Sequence, residues 1–216
     1  MPSKLEYHTI DPRLQSALRL CMEASELKSF RLVGGTALSL YLGHRMSIDL
    51  DLFTDEPYGS VDFSKINAFL KTAFPYVDST NIQPIGFGQS YIVGENKQNN
   101  FKIDLYYTDV FIEPMNLTDG IRIASIADLI AMKMDVIQRG GRKKDFWDIH
   151  ELMSRYTFGD MVSFHLKRYP YNHEEQDIIA KFKDFGKADE DFNPICLKGK
   201  IWEIIKLDIL DFVGTF

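Results

Sequence analysis

The segment LVGGTALSLYLGHRMSIDLDLF, residues 32–53, is the most informative part of this sequence. Near its end, Asp49 and Asp51 are separated by one residue. Because side chains alternate along a β-strand, both carboxylates are predicted on one face of a strand, while Ile48 and Leu50 take the core-facing side. Like charges this close raise each other's pKa, and a bound divalent cation would remove that penalty. The pattern therefore predicts a Mg²⁺ or Mn²⁺ site for phosphoryl or nucleotidyl transfer.

A pair of glycines precedes these acids. Residues 30–33 are apolar and predict a short buried strand, Gly34 and Gly35 break it, and residues 36–42 predict a helix. Glycine lets the backbone approach a phosphate closely, and Thr36 is expected to cap a helix whose first N–H groups favour an anion. The order strand, Gly-Gly, helix and acidic strand predicts a nucleoside triphosphate on the glycine turn, beside the metal.

A third acid is expected at the same site. Asp104 lies in FKIDLY, residues 101–106, where polar and apolar residues alternate. If this strand lies beside the first acidic strand, Asp104 meets Asp49 and Asp51. It would then bind the metal or act as general base for an attacking hydroxyl. The alternative is an ordinary exposed carboxylate on a strand.

The second half of the chain offers cations. Lys133 interrupts the apolar helix IADLIAMKMDVI, and its ammonium suits a β- or γ-phosphate. The alternative is a lysine that reaches water from a helix edge. Asp145 and Asp148 share one helix face. One of them would anchor Lys133 or Arg142, and Asp148 is favoured to contact the nucleotide or metal. The basic loop 139–144 is either solvated or a phosphate and RNA contact.

Three polar residues lie between the glycine helix and the acidic strand. Arg45 is predicted to clamp the triphosphate or to neutralise Asp49 and Asp51. Ser47, two residues before Asp49, would face the acids and bond a phosphate oxygen. His44 is interpreted as a helix C-terminal residue whose partial charge suits the helix dipole.

The length and periodicity predict the architecture. With 216 residues the chain forms one domain or two small ones. The pattern changes from period two to helical near residue 120, which predicts an α/β (α+β) core over 1–120 and a helical portion over 121–216 that contributes Lys133 and Asp148. The core would hold a small mixed sheet with residues 30–33, 47–53 and 101–107 as neighbouring strands. Further short strands are expected at 82–87 and 110–112.

Composition excludes several classes of protein. The net charge of −6 argues against a protein that coats nucleic acid broadly, so any RNA contact is local. Cys21 and Cys196 are the only cysteines and are expected to be reduced, as in a cytoplasmic protein. The N-terminus shows no signal peptide, and no apolar run is long enough to span a membrane.

Two segments of the chain resemble a known family. GGTALSLYLGHRMSIDLDLF and SIADLIAMKMDVIQRGGRKKDFWDIHEL resemble the AbiEii/AbiGii-type nucleotidyltransferases, which are minimal polymerase-β-like proteins. Many of these are toxins of toxin–antitoxin or abortive-infection modules. The resemblance implies a polymerase-β-like core, Mg²⁺ or Mn²⁺ as cofactor, and transfer of a nucleotide from an NTP to an acceptor hydroxyl of tRNA, other RNA or protein. It also implies a cognate antitoxin.

The resemblance assigns roles residue by residue. The family's glycine turn and acids bind nucleotide and metal, and a later lysine and aspartate complete the site. The matching positions here are Gly34, Gly35, Thr36, Asp49, Asp51, Lys133 and Asp148, while Asp104 fits an acid that ends a strand in the family. Two alternatives stay open: a catalytically idle member that binds nucleotide or a partner, and a small-molecule (antibiotic-type) adenylyltransferase. The retention of all three acids and the lysine favours activity.

Overall fold

The computed structural model describes residues 4–79 and 87–214. Its strands are β1 (Arg31–Val33), β2 (Leu50–Thr54), β3 (Tyr76–Asp78), β4 (Gly88–Asn96), β5 (Asn99–Tyr107), β6 (Asn116–Thr118) and β7 (Ile121–Ile123). Its α-helices are α1 (Pro12–Glu23), α2 (Gly34–Leu42), α3 (Phe63–Ala73), α4 (Ile126–Gln138), α5 (Lys143–Leu152), α6 (Phe158–Arg168), α7 (Glu175–Phe182), α8 (Gly186–Asp189) and α9 (Trp202–Gly214). The predicted α/β class is confirmed.

The strands form one seven-stranded mixed sheet with the order β3-β4-β5-β2-β1-β7-β6. β2 lies at its centre, antiparallel to β1 and parallel to β5. The three strands predicted as neighbours are therefore neighbours. Leu50 and Leu52 of β2 and Ile103 and Leu105 of β5 have no exposed surface, so the predicted alternation between core and open face holds for both strands.

The acidic strand starts later than predicted. β2 begins at Leu50, and Ile48 is 70% exposed, so its predicted place on the core face is wrong. The reason lies in the backbone before the strand. The N–H of Met46 donates to the carbonyl of Ile195, and the N–H of Ser47 donates to that of Thr9. These bonds hold residues 46–49 outside the sheet. Side chains therefore alternate between the two faces of the sheet only from Leu50 onward.

The sheet continues past residue 120. β7 pairs in parallel with β1, with Leu32 opposite Ile123. The helices of the second half of the chain begin after this strand, at Ile126. The structure is helical from there onward, as predicted, and the division into domains over 1–120 and 121–216 stays a prediction. No helix in the described part of the chain is long and apolar enough to cross a membrane.

Two shorter predictions have different outcomes. The strand expected at 82–87 lies, except for Phe87, outside the described residues. The strand expected at 110–112 is wrong, because side chains bind the backbone there in place of a neighbouring strand. Arg168 donates to the carbonyls of Asp109 and Val110, and the Asp128 carboxylate accepts from the N–H of Ile112. Both cysteines are free thiols; Cys21 is buried and Cys196 is partly exposed.

Candidate active site

A cleft of about 1030 Å³ opens between the sheet and the helical portion. The turn from β1 into α2 and the start of β2 line one side, and α4 and α5 line the other. Gly34, Gly35, Asp51, Lys133 and Asp145 all face it. A cleft of this volume is at the upper end of the range for small-molecule sites and accommodates a nucleotide.

Two acids meet on the open face of the sheet. Asp51 and Asp104 are partners across the parallel pair β2 and β5, so their side chains leave the same face of strands about 4.8 Å apart. Burial and the nearby Asp104 raise the pKa of Asp51 to about 6. Lys102 Nζ lies 2.6 Å from Oδ2 of Asp104. The other oxygen of Asp104, Oδ1, is buried and has no hydrogen-bond partner among the described residues.

These two acids fit a divalent cation. Mg²⁺ prefers oxygen ligands, keeps several waters and is held by one or two carboxylates together with substrate phosphates. Asp51 and the unpartnered oxygen of Asp104 supply that donor set. Among residues 4–79 and 87–214, no group of three or more acidic, histidine or cysteine side chains is arranged to hold a metal. The predicted set of three acids is therefore not preassembled, because Asp49 precedes β2 and does not share its alternation.

The two glycines allow close approach to the turn. Gly34 has a φ of +69°, and a Cβ there would lie 2.2 Å from Oδ2 of Asp51. A Cβ on Gly35 would lie 2.4 Å from a terminal nitrogen of Arg45. Any side chain at either position would displace the acid or the guanidinium. α2 begins at Gly34, and no described side chain caps it, so its first N–H groups remain available for an anion.

Thr36 does not cap α2, contrary to the prediction. The helix begins two residues earlier than expected, which places Thr36 within its first turn. Its hydroxyl donates to the carbonyl of Asp49 at 2.5 Å and lies 2.7 Å from the hydroxyl of Ser47. The Thr36 hydroxyl, expected to cap the helix, and the Ser47 hydroxyl, expected to bond a phosphate oxygen, instead tie α2 to the segment before β2 and thereby hold Asp49 beside the turn.

Lys133 lies at the floor of the cleft with 6% of its surface exposed. Its Nζ is 2.6 Å from Oδ1 of Asp145 and 2.8 Å from Oδ2 of Asp148. Burial works to lower the pKa of Lys133, but the two aspartates outweigh it and raise the pKa overall. The ammonium is therefore charged, and it does not reach away from the cleft to bulk water. Asp145 also accepts from the N–H of Arg142 at the start of α5.

Asp148 binds cations and is fully buried. Its Oδ1 accepts from Nε of Arg45 at 2.6 Å and lies 2.7 Å from Nε2 of His44, while its Oδ2 accepts from Arg45 Nη2 at 2.8 Å. Although burial opposes ionisation, Arg45 and Lys133 hold the pKa of Asp148 well below its usual range. Asp148 has no exposed surface and binds these cations, and its predicted contact with the nucleotide stays a prediction.

Arg45 and His44 both bind Asp148. Arg45 is 3% exposed and makes no ion pair with Asp49 or Asp51 among the described residues, while its predicted contact with a triphosphate stays a prediction. His44 follows α2, as expected, but its ring bonds to Asp148 at a site with no exposed surface. Packing of α5 against the end of α2 creates this network.

Two further lysines belong to the site. Lys144 lines the cleft, and burial together with Lys133 lowers its pKa. It makes no ion pair within the described part of the chain, so its ammonium is available to an anion. It belongs to the basic segment 139–144 but lies in the first turn of α5, whereas Arg142, just before that helix, pairs with Asp191. Lys102 binds Asp104. It lies two residues before Asp104 on β5, and this spacing in the sequence already indicated that the two side chains share one face of the strand.

Comparisons with known proteins identify the family and the fold. The family model described as nucleotidyl transferase AbiEii toxin, type IV TA system, matches residues 18–203. An uncharacterized protein of Aquifex aeolicus (strain VF5) is 28% identical over 171 residues, which are 77% of this chain and 78% of that protein.

Solved structures share the fold. A candidate nucleotidyltransferase from H. pylori superposes with a TM-score of 0.63 at 18% identity, covering 94% of this chain and 90% of that one. MenT4, a nucleotidyltransferase toxin from Mycobacterium tuberculosis H37Rv, superposes with a TM-score of 0.56 at 16% identity, covering 94% of this chain and 82% of that one. At these identities the likeness shows the fold alone.

Proposed function

The chain belongs to the AbiEii nucleotidyl transferase toxin family, and from this premise we propose that it transfers a nucleoside monophosphate from an NTP to an acceptor hydroxyl with the help of Mg²⁺ or Mn²⁺. The observation that carries the proposal is the pairing of Asp51 with Asp104 across neighbouring strands, together with the charged Lys133, which lines the same cleft as Asp51. Acids that attract a metal and a cation that attracts phosphate are the two requirements of nucleotidyl transfer.

The glycine turn and the lysines are proposed to bind the triphosphate. The uncapped start of α2 at Gly34 offers N–H groups to an anion, and the absence of a Cβ there lets the Asp51 carboxylate lie against the turn. Lys133 and Lys144 provide positive charge across the cleft. Lys133 would stabilise the charge that develops on the departing pyrophosphate, an effect for which a preorganised cation in a buried site is well suited.

The acids are proposed to activate the acceptor. A divalent cation held by Asp51 and Asp104 would neutralise phosphate charge and lower the pKa of the attacking hydroxyl. The unpartnered Oδ1 of Asp104 is placed to hold that ion or to accept the proton of the hydroxyl. Asp49 stands beside the turn, held by Thr36 through its carbonyl, and would complete the ligand set when substrate is bound.

The acceptor and the biological setting are part of the proposal. We propose tRNA, another RNA or a protein as acceptor, an antitoxin as partner, and the cytoplasm as location. Arg139, Lys144 and Lys187 line the cleft and would suit the phosphates of an RNA. The free thiols of Cys21 and Cys196 fit a reducing compartment.

A labelling experiment tests the proposal. The protein is incubated with each NTP labelled on either the α- or the γ-phosphate, with Mg²⁺ and a total RNA pool or a protein extract. Transfer of the α-label, with release of pyrophosphate, supports the proposal, and Asp51→Asn should remove it. Transfer of the γ-label would contradict it in favour of a kinase. Tight NTP binding with no transfer to RNA or protein would contradict it in favour of an idle member or a small-molecule adenylyltransferase.

A further inference from the structure

An exposed group of aromatic rings lies in the same cleft as the acids and lysines. Tyr58, Phe87 and Tyr107 line it, and we call these three residues the aromatic rim. The rings of Tyr58 and Phe87 are 5.6 Å apart between centroids, and those of Tyr58 and Tyr107 are 5.4 Å apart. Tyr58 is 67% exposed and Phe87 is 63% exposed. Exposed aromatic surface of this size beside a polar cleft indicates a surface that a ligand covers.

The aromatic rim is supported from below. The hydroxyl of Tyr107 accepts a hydrogen bond of 2.7 Å from the N–H of Val61, which fixes the loop that carries Tyr58. The ring of Tyr107 also packs edge-on against Phe63 at the start of α3, at 6.1 Å. Tyr58 therefore rests on a ring that the fold holds in place, and Phe87 packs against Tyr58, so binding a ligand on these rings would need little ordering.

The position of the rim relates it to the phosphate site. Tyr107 ends β5 opposite Thr54, three residues beyond the pair of Asp51 and Asp104 on the same two strands. At about 3.3 Å per residue this is about 10 Å along the strands. The odd offset puts the Tyr107 side chain on the other face of the sheet from the acids, so the rim meets the cleft around the end of these strands. A ligand that extends from the acids to the rim must be anionic at one end and flat and aromatic at the other. A nucleotide has this division between phosphates and base.

We propose that the aromatic rim stacks the base of the NTP whose phosphates lie between the acid pair and Lys133. The proposal rests on the proposed function and adds the part of the substrate that the acids and lysines do not address. Stacking on aromatic rings is tolerant of base identity, because every base has a π-face. We therefore infer that all four NTPs bind, with differences set by the area of the base.

The test compares nucleotide with inorganic tripolyphosphate. Affinities of both probes are measured by calorimetry with Mg²⁺ for the unaltered protein, Tyr58→Ala, Phe87→Ala and the double variant. Loss of stacking should weaken NTP binding by roughly 5- to 100-fold, while tripolyphosphate affinity stays unchanged. Tyr58→Phe should retain NTP affinity because it keeps the ring. Phe192→Ala, an 89% exposed aromatic that does not line the cleft, is the matched control.

The outcomes separate the two proposals. Unchanged NTP affinity in the double variant would overturn the stacking proposal. A loss confined to single-stranded oligonucleotides would also overturn it, in favour of a rim that binds the acceptor. If the unaltered protein bound neither NTP nor tripolyphosphate, the proposed function itself would fail. Thermal unfolding of each variant checks the fold, and exposed positions such as Tyr58 should leave it unchanged.

Discussion

Replacing Asp148 by asparagine should destabilise the protein strongly although the two side chains have nearly the same shape. Asp148 is fully buried and binds Arg45, Lys133 and His44 at 2.6–2.8 Å. Removing one partner of a buried ion pair costs about 3–5 kcal/mol, because the remaining charge stays buried and unpaired. Lys133 keeps Asp145, so Arg45 is the main uncompensated cation. With about 2–4 °C per kcal/mol for a chain of this size, the unfolding temperature should fall by about 6–20 °C.

Urea and thermal unfolding near neutral pH measure this loss. The folded pKa of Asp148 lies well below the unfolded value of about 3.9, so its stabilisation is complete above about pH 4 and is lost only as pH falls further. The stabilities of variant and unaltered protein should therefore converge only in strong acid. Asp184→Asn, which breaks an exposed pair with Lys181, is the control and should cost less than about 1 kcal/mol. An equally small loss for Asp148→Asn would refute the proposed network.

Three further substitutions test the cleft. Lys133→Met keeps helix propensity but removes the charge near the phosphates, so transfer should slow on the order of 10²–10³-fold, with only partial recovery in Lys133→Arg. Asp51→Asn should abolish metal-dependent nucleotide binding. Burial and Asp104 raise the pKa of Asp51 to about 6, so the folded state disfavours its charged form. Asp51→Asn should therefore also raise the unfolding temperature of the metal-free protein at about pH 7–8. This gain should disappear as pH falls to about 4. Gly34→Ala should destabilise the protein and prevent nucleotide binding, since its Cβ would lie 2.2 Å from the Asp51 carboxylate. Gly120→Ala, with a φ of +79° and open space around it, isolates the backbone strain of about 1–2 kcal/mol.

Each substitution has a result that contradicts its premise. Full transfer activity in Lys133→Met, measured with labelled NTP, would move the phosphate-binding role to Lys144. A lower unfolding temperature for metal-free Asp51→Asn would make this acid a structural residue. Equal effects of Gly34→Ala and Gly120→Ala on stability and nucleotide affinity would show that the approach of Asp51 to the turn is unimportant.

The sequence predicts those parts of the site that depend on local period. Leu50, Asp51 and Leu52 alternate as expected, and the same period on β5 places Asp104 on the face that meets Asp51. The Gly-Gly turn also follows from local rules, because Gly34 needs a positive φ that other residues rarely adopt. Strand pairing then brings the two predicted faces together without further information.

The parts that the sequence does not predict depend on contacts between distant segments. Arg45 and Asp148 are 103 residues apart and meet only because α5 packs beside the end of α2. Ile48 leaves the core side because Met46 bonds to Ile195, far along the chain. Local periodicity carries no information about such partners. The aromatic rim is of the same kind, because its three rings come from three separate segments.

Asp51 and Asp104 together are proposed to hold a divalent cation next to the triphosphate. Mn²⁺ binding, followed by electron paramagnetic resonance in the presence of a non-hydrolysable NTP analogue, tests this directly. The unaltered protein should bind Mn²⁺, Asp104→Asn should lose most of that affinity with its fold intact, and Asp184→Asn, an exposed acid, should bind as the unaltered protein does. Equal Mn²⁺ affinity in Asp104→Asn and the unaltered protein would contradict this proposal.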